Sequence, residues 1–428
     1  MRILWLNAGL LLPLDKGGKL RTWHLMRHLA ERHEITYLSF VEPSASRADL
    51  DGMVAVCRDL ETLPRTDPHK GTWRFSLDAA RYLLDRAPYA VAKYRSTAYR
   101  EQLSALLARR PFDVVVCDFL VPMVNLPARL PCPLVLFTHN VEAEIWRRHA
   151  DTAAGALRRR LLGGQWKRMA RFERDALARA DLVLAVSETD RETFARQYPG
   201  ALRHPVHVVQ TGVDTSYFVP APGSAADPHL VFTGSMDWLP NEDGMTWFVR
   251  EVLPIIRAAE PRTTLSIIGR APTRAVQALG RDPAIEVTGR VDDVRPHMAR
   301  GTLYVVPLRI GGGTRLKIFE AMAMGKAVVS TAVGAEGLPV TPGRDLLLAD
   351  GADGFARAVL DLLRDRERRQ QLERAARDLV VRHYDWSAVA HQLEDALEHV
   401  TRRRPGLPAA AADGRATWLT ALPAKDLE

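Results

Sequence analysis

Ten short apolar runs, separated by longer amphipathic segments, constrain this chain more than any other feature of its sequence. In the first half they are Ile3–Leu6, Ile35–Phe40, Val114–Cys117, Leu134–Phe137 and Leu182–Val186. In the second they are Leu230–Phe232, Leu265–Ile268, Ile285–Val287, Leu303–Val306 and Ala327–Val329. None alternates apolar with polar residues, as a strand with one wet face would. Continuous apolar strands are covered on both faces, which is the condition of a parallel sheet. The segments between them carry helical periodicity, for example Thr22–Arg32, Trp247–Ala258 and Gly354–Arg364. Strand and helix alternating in two successive halves predict two doubly wound α/β domains of the Rossmann type.

The length of 428 residues suits two lobes, and 47% apolar with 26% charged residues excludes a disordered or fibrous chain. A Pro- and Gly-bearing stretch without charge, Phe218–Ser224, marks the seam. The expected division is 1–206 for the first domain and 207–385 for the second, with a helix over 386–402 returning to the first. Residues 403–428, rich in Ala, Pro and Arg, read as a weakly ordered tail. The three cysteines, Cys57, Cys117 and Cys132, lack metal-like spacing and read as buried, reduced thiols, which suits a cytoplasmic protein. Met1–Leu14 is interrupted by Asn7 and reads as a first strand and loop rather than a signal peptide. Asp49-Leu50-Asp51 has the form of a metal-binding pair but sits at an expected helix start, so no metal site is predicted there.

The net charge of +8 favours anionic partners. One segment says which kind. Val305-Val306-Pro307-Leu308-Arg309-Ile310-Gly311-Gly312-Gly313-Thr314-Arg315-Leu316-Lys317 reads as a strand, a glycine loop and a helix beginning near Thr314. The glycines admit a ligand close to the backbone, and the helix start offers unpaired N–H groups to an anion. Arg315 and Lys317 put cations where the helix dipole disfavours them, which makes sense if a polyanion sits there. Glu320 follows at a spacing from which a carboxylate accepts from sugar hydroxyls.

Gly311–Thr331 followed by Gly334-Ala335-Glu336-Gly337-Leu338 resembles the donor-binding signature of glycosyltransferase family 4, retaining and metal-independent enzymes of the GT-B fold. The resemblance implies two Rossmann-like domains facing across a cleft, a nucleotide-diphosphate sugar (UDP- or GDP-linked) in the second, and a glycan or lipid-linked acceptor on the first. It implies no cofactor and no metal. The family pattern has two glutamates eight positions apart: Glu320 matches the second, the ribose ligand, whereas the first falls on Gly312. That departure shifts the diphosphate contacts to Arg315 and Lys317, with Gly313, Thr314 and Leu316 supplying the loop and helix start. Thr233-Gly234-Ser235 follows the first strand of the second lobe, where family members wrap the donor phosphates. Gly269-Arg270 and Gly289-Arg290 fall where the family places its nucleobase pocket.

In the first lobe, Gly17-Gly18 resembles the glycine loop that closes over the donor, with Lys19 and Arg21 beside it as loop or surface residues. His139, after the strand Leu134–Phe137, matches a family histidine near the reacting sugar, with Asn140, Glu142 and Ser187-Glu188 nearby. Between Glu144 and Asp175 nine Lys or Arg face four Asp or Glu, interspersed with Trp146, Leu157, Leu161 and Trp166. This segment reads either as a solvated amphipathic helix pair or as a surface for an anionic membrane, which would place the protein at the inner face of the membrane. Nucleic acid is not expected, since no recognised motif accompanies the charge. The rival readings are a nucleotide-sugar epimerase of the same architecture and a non-catalytic nucleotide- or glycan-binding subunit. A dehydrogenase is disfavoured by the absence of Gly-x-Gly-x-x-Gly after the first strand.

Overall fold

A computed structural model describes residues 1–15, 17–66, 82, 85–221, 227–310 and 315–402. The tail 403–428, Lys16 and the glycine loop 311–314, with Gly312, Gly313 and Thr314, lie outside the described residues.

All ten apolar runs are strands, and every ladder is parallel. The first sheet holds β1 (Arg2–Leu6), β2 (Glu34–Val41), β3 (Asp59–Pro64), β4 (Val114–Asp118), β5 (Leu134–Phe137), β6 (Leu182–Ala185) and β7 (His207–Val208), in the order β3-β2-β1-β4-β5-β6-β7. The second holds β8 (His229–Thr233), β9 (Thr264–Ile268), β10 (Ile285–Gly289), β11 (Leu303–Val306), β12 (Ala327–Ser330) and β13 (Leu347–Leu348), in the order β10-β9-β8-β11-β12-β13. The order reverses once in each sheet, between β1 and β4 and between β8 and β11, and ligands bind at such switch points beyond the carboxyl ends of the strands.

Three strands escaped the sequence reading: β3, β7 and β13. Each is an edge strand: β3 (Asp59–Pro64) is interrupted by polar residues, and β7 and β13 are only two residues long. Because β7 pairs with β6, His207–Val208 belongs to the first sheet, and the crossing begins after residue 208 rather than before 207. Asp49 closes a capping box with Ser46 at the helix Arg47–Val54, which accounts for its carboxylate without a metal. All three cysteines are free and buried.

The helix Trp386–Arg402 packs on the first lobe. Trp386, Val389, Leu393 and Leu397 join Ile3, Trp5, Leu25 and Leu29 in one core. The Asp385 carboxylate accepts from Ser387 N at 2.9 Å and from Thr215 Oγ1 at 2.6 Å, so it caps this helix while pinning the crossing segment. Val213 and Tyr384–Trp386 also exchange backbone hydrogen bonds, Val213 N to Tyr384 O at 2.7 Å and Trp386 N to Val213 O at 3.3 Å. The chain therefore passes between the lobes at two strands of backbone that hold each other. The Trp386 indole lies stacked on His24, centroids 5.0 Å apart, and is 2% exposed. Truncation of a buried aromatic of this size costs about 3–5 kcal/mol. Trp386→Ala is expected to lower stability to denaturant by that amount, measured as a shift in midpoint for the first lobe.

Candidate active site

The floor of the cleft is a buried polar network at the carboxyl ends of β1, β4 and β5. Asp118, the last residue of β4, is fully buried. It accepts from Asn7 Nδ2 at 2.7 Å, Thr22 Oγ1 at 2.8 Å and His139 Nε2 at 2.7 Å. His139 Nδ1 lies 3.1 Å from Arg21 Nη1, and Arg21 also donates to Thr211 Oγ1 on the crossing segment. A guanidinium can only donate, so Nδ1 is the acceptor and Nε2 carries the proton towards Asp118. Burial holds the imidazole below its ordinary pKa, against the pull of Asp118, and the ring is neutral with both nitrogens engaged. Its face stacks on Phe119 at a centroid distance of 3.8 Å.

Arg21 is therefore no surface residue: it is 2% exposed, and burial lowers its pKa to about 10, which leaves it cationic at neutral pH. The sequence carried a signal for this, because Arg21, Leu25 and Leu29 share one face of the helix Gly17–Leu29. Asp118 also had one, a carboxylate closing the apolar run Val114–Cys117. Neither Asn7 nor Thr211 had any. Gly18 lies against this network: a β-carbon there would come within 2.6 Å of Phe119 Cζ and 3.6 Å of His139 Nδ1.

Across the cleft, the ends of β8, β9 and β10 are laced together. Gly234 N donates to Ile268 O at 2.9 Å, Met236 N to Arg270 O at 2.9 Å, and Gly269 N to Gly289 O at 3.2 Å. This brings Gly234, Ser235, Arg270 and Gly289 into one edge of the second sheet, with Arg270 and Arg290 exposed. The helix expected near Thr314 begins, among the described residues, at Leu316. Arg315 precedes it in left-handed backbone, φ 54°. Its side chain turns inward, donating from Nη2 to Val333 O at 2.8 Å and lying 3.5 Å from the Glu336 carboxylate.

Lys317 points along the opposite side. Its Nζ donates to Asn241 Oδ1 at 2.8 Å and sits 4.2 Å from the centre of the Phe232 ring. A β-carbon at Gly234 would fall 2.8 Å from that ammonium and 2.7 Å from Asn241 Nδ2, so only glycine permits this approach. Burial pulls Lys317 down to about 7, partly offset by Glu320. Burial likewise raises Glu320 to about 7, against the attraction of Lys317.

Two recesses open from this geometry and share Arg315. One is lined by Gly17 from the first lobe and Gly234, Ser235, Arg270, Leu316 and Lys317 from the second. The other carries Arg21, His139, Asn140 and Ser187 opposite Phe319 and Glu336. The cleft thus unites Gly17, His139, Arg315 and Lys317, while Glu320 lies deeper, close enough to Lys317 and Tyr304 to act on both. Among the described residues, no group of three or more His, Cys, Asp or Glu could hold a metal ion. Asp118→Asn leaves Arg21 and His139 without their buried anion, and removing one partner of a buried charge pair costs about 3–5 kcal/mol. Chemical denaturation of that variant is expected to show a loss of this size.

Comparisons with known proteins agree with this geometry. A family model described as "Glycosyltransferase Family 4" matches residues 16–217, and one described as "Glycosyl transferases group 1" matches residues 227–365. The chain is 27% identical over 262 residues to the α-maltose-1-phosphate synthase of Mycolicibacterium smegmatis, covering 54% of this chain and 66% of that protein. It is 27% identical over 242 residues to a GDP-mannose-dependent α-(1-6)-phosphatidylinositol monomannoside mannosyltransferase of Mycobacterium tuberculosis, covering 51% and 61%. The chain thus spans less than two thirds of the length of these curated relatives. Among solved structures, Anabaena HepE in complex with UDP and glucose superposes with a TM-score of 0.61 at 14% identity, covering 93% of this chain and 100% of that one. Sucrose-phosphate synthase of Thermosynechococcus elongatus gives 0.63 at 18% identity, covering 93% and 98%. Two parallel-sheet lobes, the order of the motifs and the matching family models assign the chain to glycosyltransferase family 4, with the GT-B fold.

Proposed function

We propose that this chain is a retaining glycosyltransferase that moves a sugar from a nucleoside-diphosphate donor to a glycan or lipid-linked acceptor in envelope or exopolysaccharide synthesis. The observation that carries the reading is the pair Arg315 and Lys317 at the mouth of a helix, facing Gly17 across the cleft. In this reading the second lobe holds the nucleotide and the first lobe the acceptor. Negative charge grows on the departing diphosphate in the transition state, and a preset cation stabilises it there more than in the ground state. Lys317 supplies that charge, and Arg315, Gly313, Thr314 and Leu316 the surrounding donors. Gly17-Gly18 closes from the opposite lobe, Gly234 and Ser235 border the phosphates, and Arg270, Gly289 and Arg290 frame the nucleobase. Glu320 accepts from the ribose.

The acceptor oxygen bonds to the anomeric carbon on the face the diphosphate leaves, and its proton passes to the departing phosphate oxygen. No protein base or metal takes part in this scheme. His139 was expected beside the sugar; with both nitrogens engaged it acts as a positioning residue, fixing Arg21 and Phe119 on the cleft wall.

The test is thermal shift against UDP, GDP, ADP and their sugars, with and without chelator. UDP and GDP head the panel because HepE binds UDP and the mycobacterial mannosyltransferase uses GDP-mannose. A ligand at a hundred times its dissociation constant adds about 2.7 kcal/mol. One nucleotide should stabilise selectively and independently of chelator; no response to any of them overturns the reading. Binding without turnover favours the non-catalytic subunit, and isomerised donor without acceptor favours the epimerase.

Lys317→Ala should lower donor turnover about a hundredfold with the fold retained. A bound diphosphate favours the ammonium, and Lys317 free of ligand titrates at about 7. Nucleoside-diphosphate affinity should therefore fall as pH rises above that value, by up to about tenfold per unit. Calorimetric titration of Lys317→Gln should give a flatter pH profile.

The segment 144–175 forms two helices, Glu142–Asp151 and Ala156–Arg179. Some of its cations are paired, Arg147 with Glu144 and Asp151 for instance. Leu157 and Leu161 are 73% and 52% exposed, with Arg158, Arg159 and Arg160 exposed between them. Among the described residues no helix is long and apolar enough to cross a membrane. This amphipathic tip supports peripheral attachment to an anionic surface. Sedimentation with phosphatidylglycerol vesicles should fall on replacing Leu157 and Leu161 with Ser; unchanged binding would remove the tip from that role.

A further inference from the structure

The helix Leu239–Trp247 sits against both loops that border the second-lobe recess. It follows directly on the loop after β8. On its other side Gly244 presses on the loop after β11, where a β-carbon would fall 2.7 Å from Pro307 O. Asp243 accepts from Arg309 Nη2 of that same loop at 2.6 Å. Asn241, in the first turn of this helix, is 2% exposed and lines the recess beside Ser235 and Lys317.

Both ends of the Asn241 amide are engaged. Nδ2 donates to Ser235 O at 2.8 Å, and Oδ1 accepts from Lys317 Nζ at 2.8 Å. A carbonyl only accepts and an ammonium only donates, so the amide has a single possible orientation. Reversed, it would set oxygen against oxygen and N–H against N–H. Ser235 O also accepts from Trp238 N at 3.3 Å, so the turn after β8 and the ammonium are tied to one side chain.

An amide does something here that neither a carboxylate nor an alkyl group could. Its oxygen dipole fixes the direction of the ammonium without cancelling the charge, which stays available to an anion. A carboxylate at the same distance would neutralise it. An alkyl group of the same shape would leave the buried ammonium less to offset its desolvation. Among the described residues, the charged groups facing Lys317 are Glu320 and Arg315 from its own segment and Asp237 and Arg270 from the loops around the recess. Asp237 accepts from Ser235 Oγ at 2.5 Å.

We propose that Asn241 is a positioning residue of the diphosphate site: it aims the Lys317 ammonium into the recess and couples it to the Ser235 turn while leaving its charge uncompensated. The proposal rests on the donor reading of Lys317 and adds to it a side chain that acts through that lysine rather than on the donor.

Asn241→Asp and Asn241→Leu test it, because they act on the ammonium in opposite directions. The first readout needs no ligand: NMR titration of the full chain carrying isotope-labelled lysine, with the Lys317 signal assigned by its loss in Lys317→Gln. Its midpoint should rise by about one pH unit or more in Asn241→Asp and fall by about one unit in Asn241→Leu. The second readout is calorimetric affinity for UDP and GDP across the same pH range. Asn241→Leu should bind more weakly than the wild type by about tenfold above neutrality and by less below it, since one unit of midpoint is a factor of ten in the charged fraction. Asn241→Asp should bind weakly throughout with a flat profile, its carboxylate having cancelled the charge. In the Lys317→Gln background neither substitution should change the shape of the profile. A residue that only held the helix in place would not move the midpoint in opposite directions. If the leucine variant does not fold, the aspartate variant carries the test alone. Wild type that binds a nucleotide, with variants whose Lys317 midpoint stays where it was or whose profiles shift equally without Lys317, would overturn the role of Asn241 and leave the donor reading standing. Wild type that binds neither nucleotide at any pH would overturn the donor reading and this role with it, whatever the midpoints do.

Discussion

Asp118 is a carboxylate with no access to water, and much of the first lobe is arranged around that fact. A buried charge is tolerable only when its lone pairs are met and an opposite charge stands near. Asn7 from the end of β1, Thr22 from the first helix and His139 from the end of β5 meet the lone pairs. Arg21 supplies the opposite charge through the imidazole. Four segments distant in sequence are thereby fixed to one point, and the same guanidinium reaches Thr211 on the crossing to the second lobe. The floor of the cleft and the path between the lobes share one electrostatic anchor.

The second lobe solves the converse problem. In the proposed reading it presents a cation to an incoming anion while keeping it folded against apolar surface when the anion is absent. Lys317 does this by resting on the Phe232 ring and the Asn241 amide, with Glu320 behind it. The absent β-carbon of Gly234 makes the space. Burial pulls the ammonium down to about 7, with Glu320 acting against that shift. Arg315, turned inward to Val333 and Glu336, borders both cleft recesses at once and couples the two sides of the site.

The sequence was read well where burial is complete and poorly where it is partial. Every doubly covered strand announced itself as an apolar run, whereas β3, β7 and β13, with a free edge or a single short ladder, did not. The same rule governs the site. Gly17, Gly18, Gly234, Arg315 and Lys317 were recognisable because glycine loops and misplaced cations leave a mark in residue type. His139 was recognisable by place but not by role: its position after β5 was legible, while the engagement of both nitrogens depends on Arg21 and Asp118, which are 118 and 21 residues away.

Residue pattern alone determined the two parallel sheets, the order of their motifs and the family, because hydrophobic runs and glycine–cation spacing are local properties of the chain. Only the tertiary structure decided which charged groups are paired and which face the cleft. Arg21 reads as a loop or surface residue in sequence and is a buried anchor in space, while Lys19, read in the same way, is engaged by the Asp15 carboxylate and the Pro13 carbonyl. Charge pairing is set by distance through space, and no local pattern carries that information.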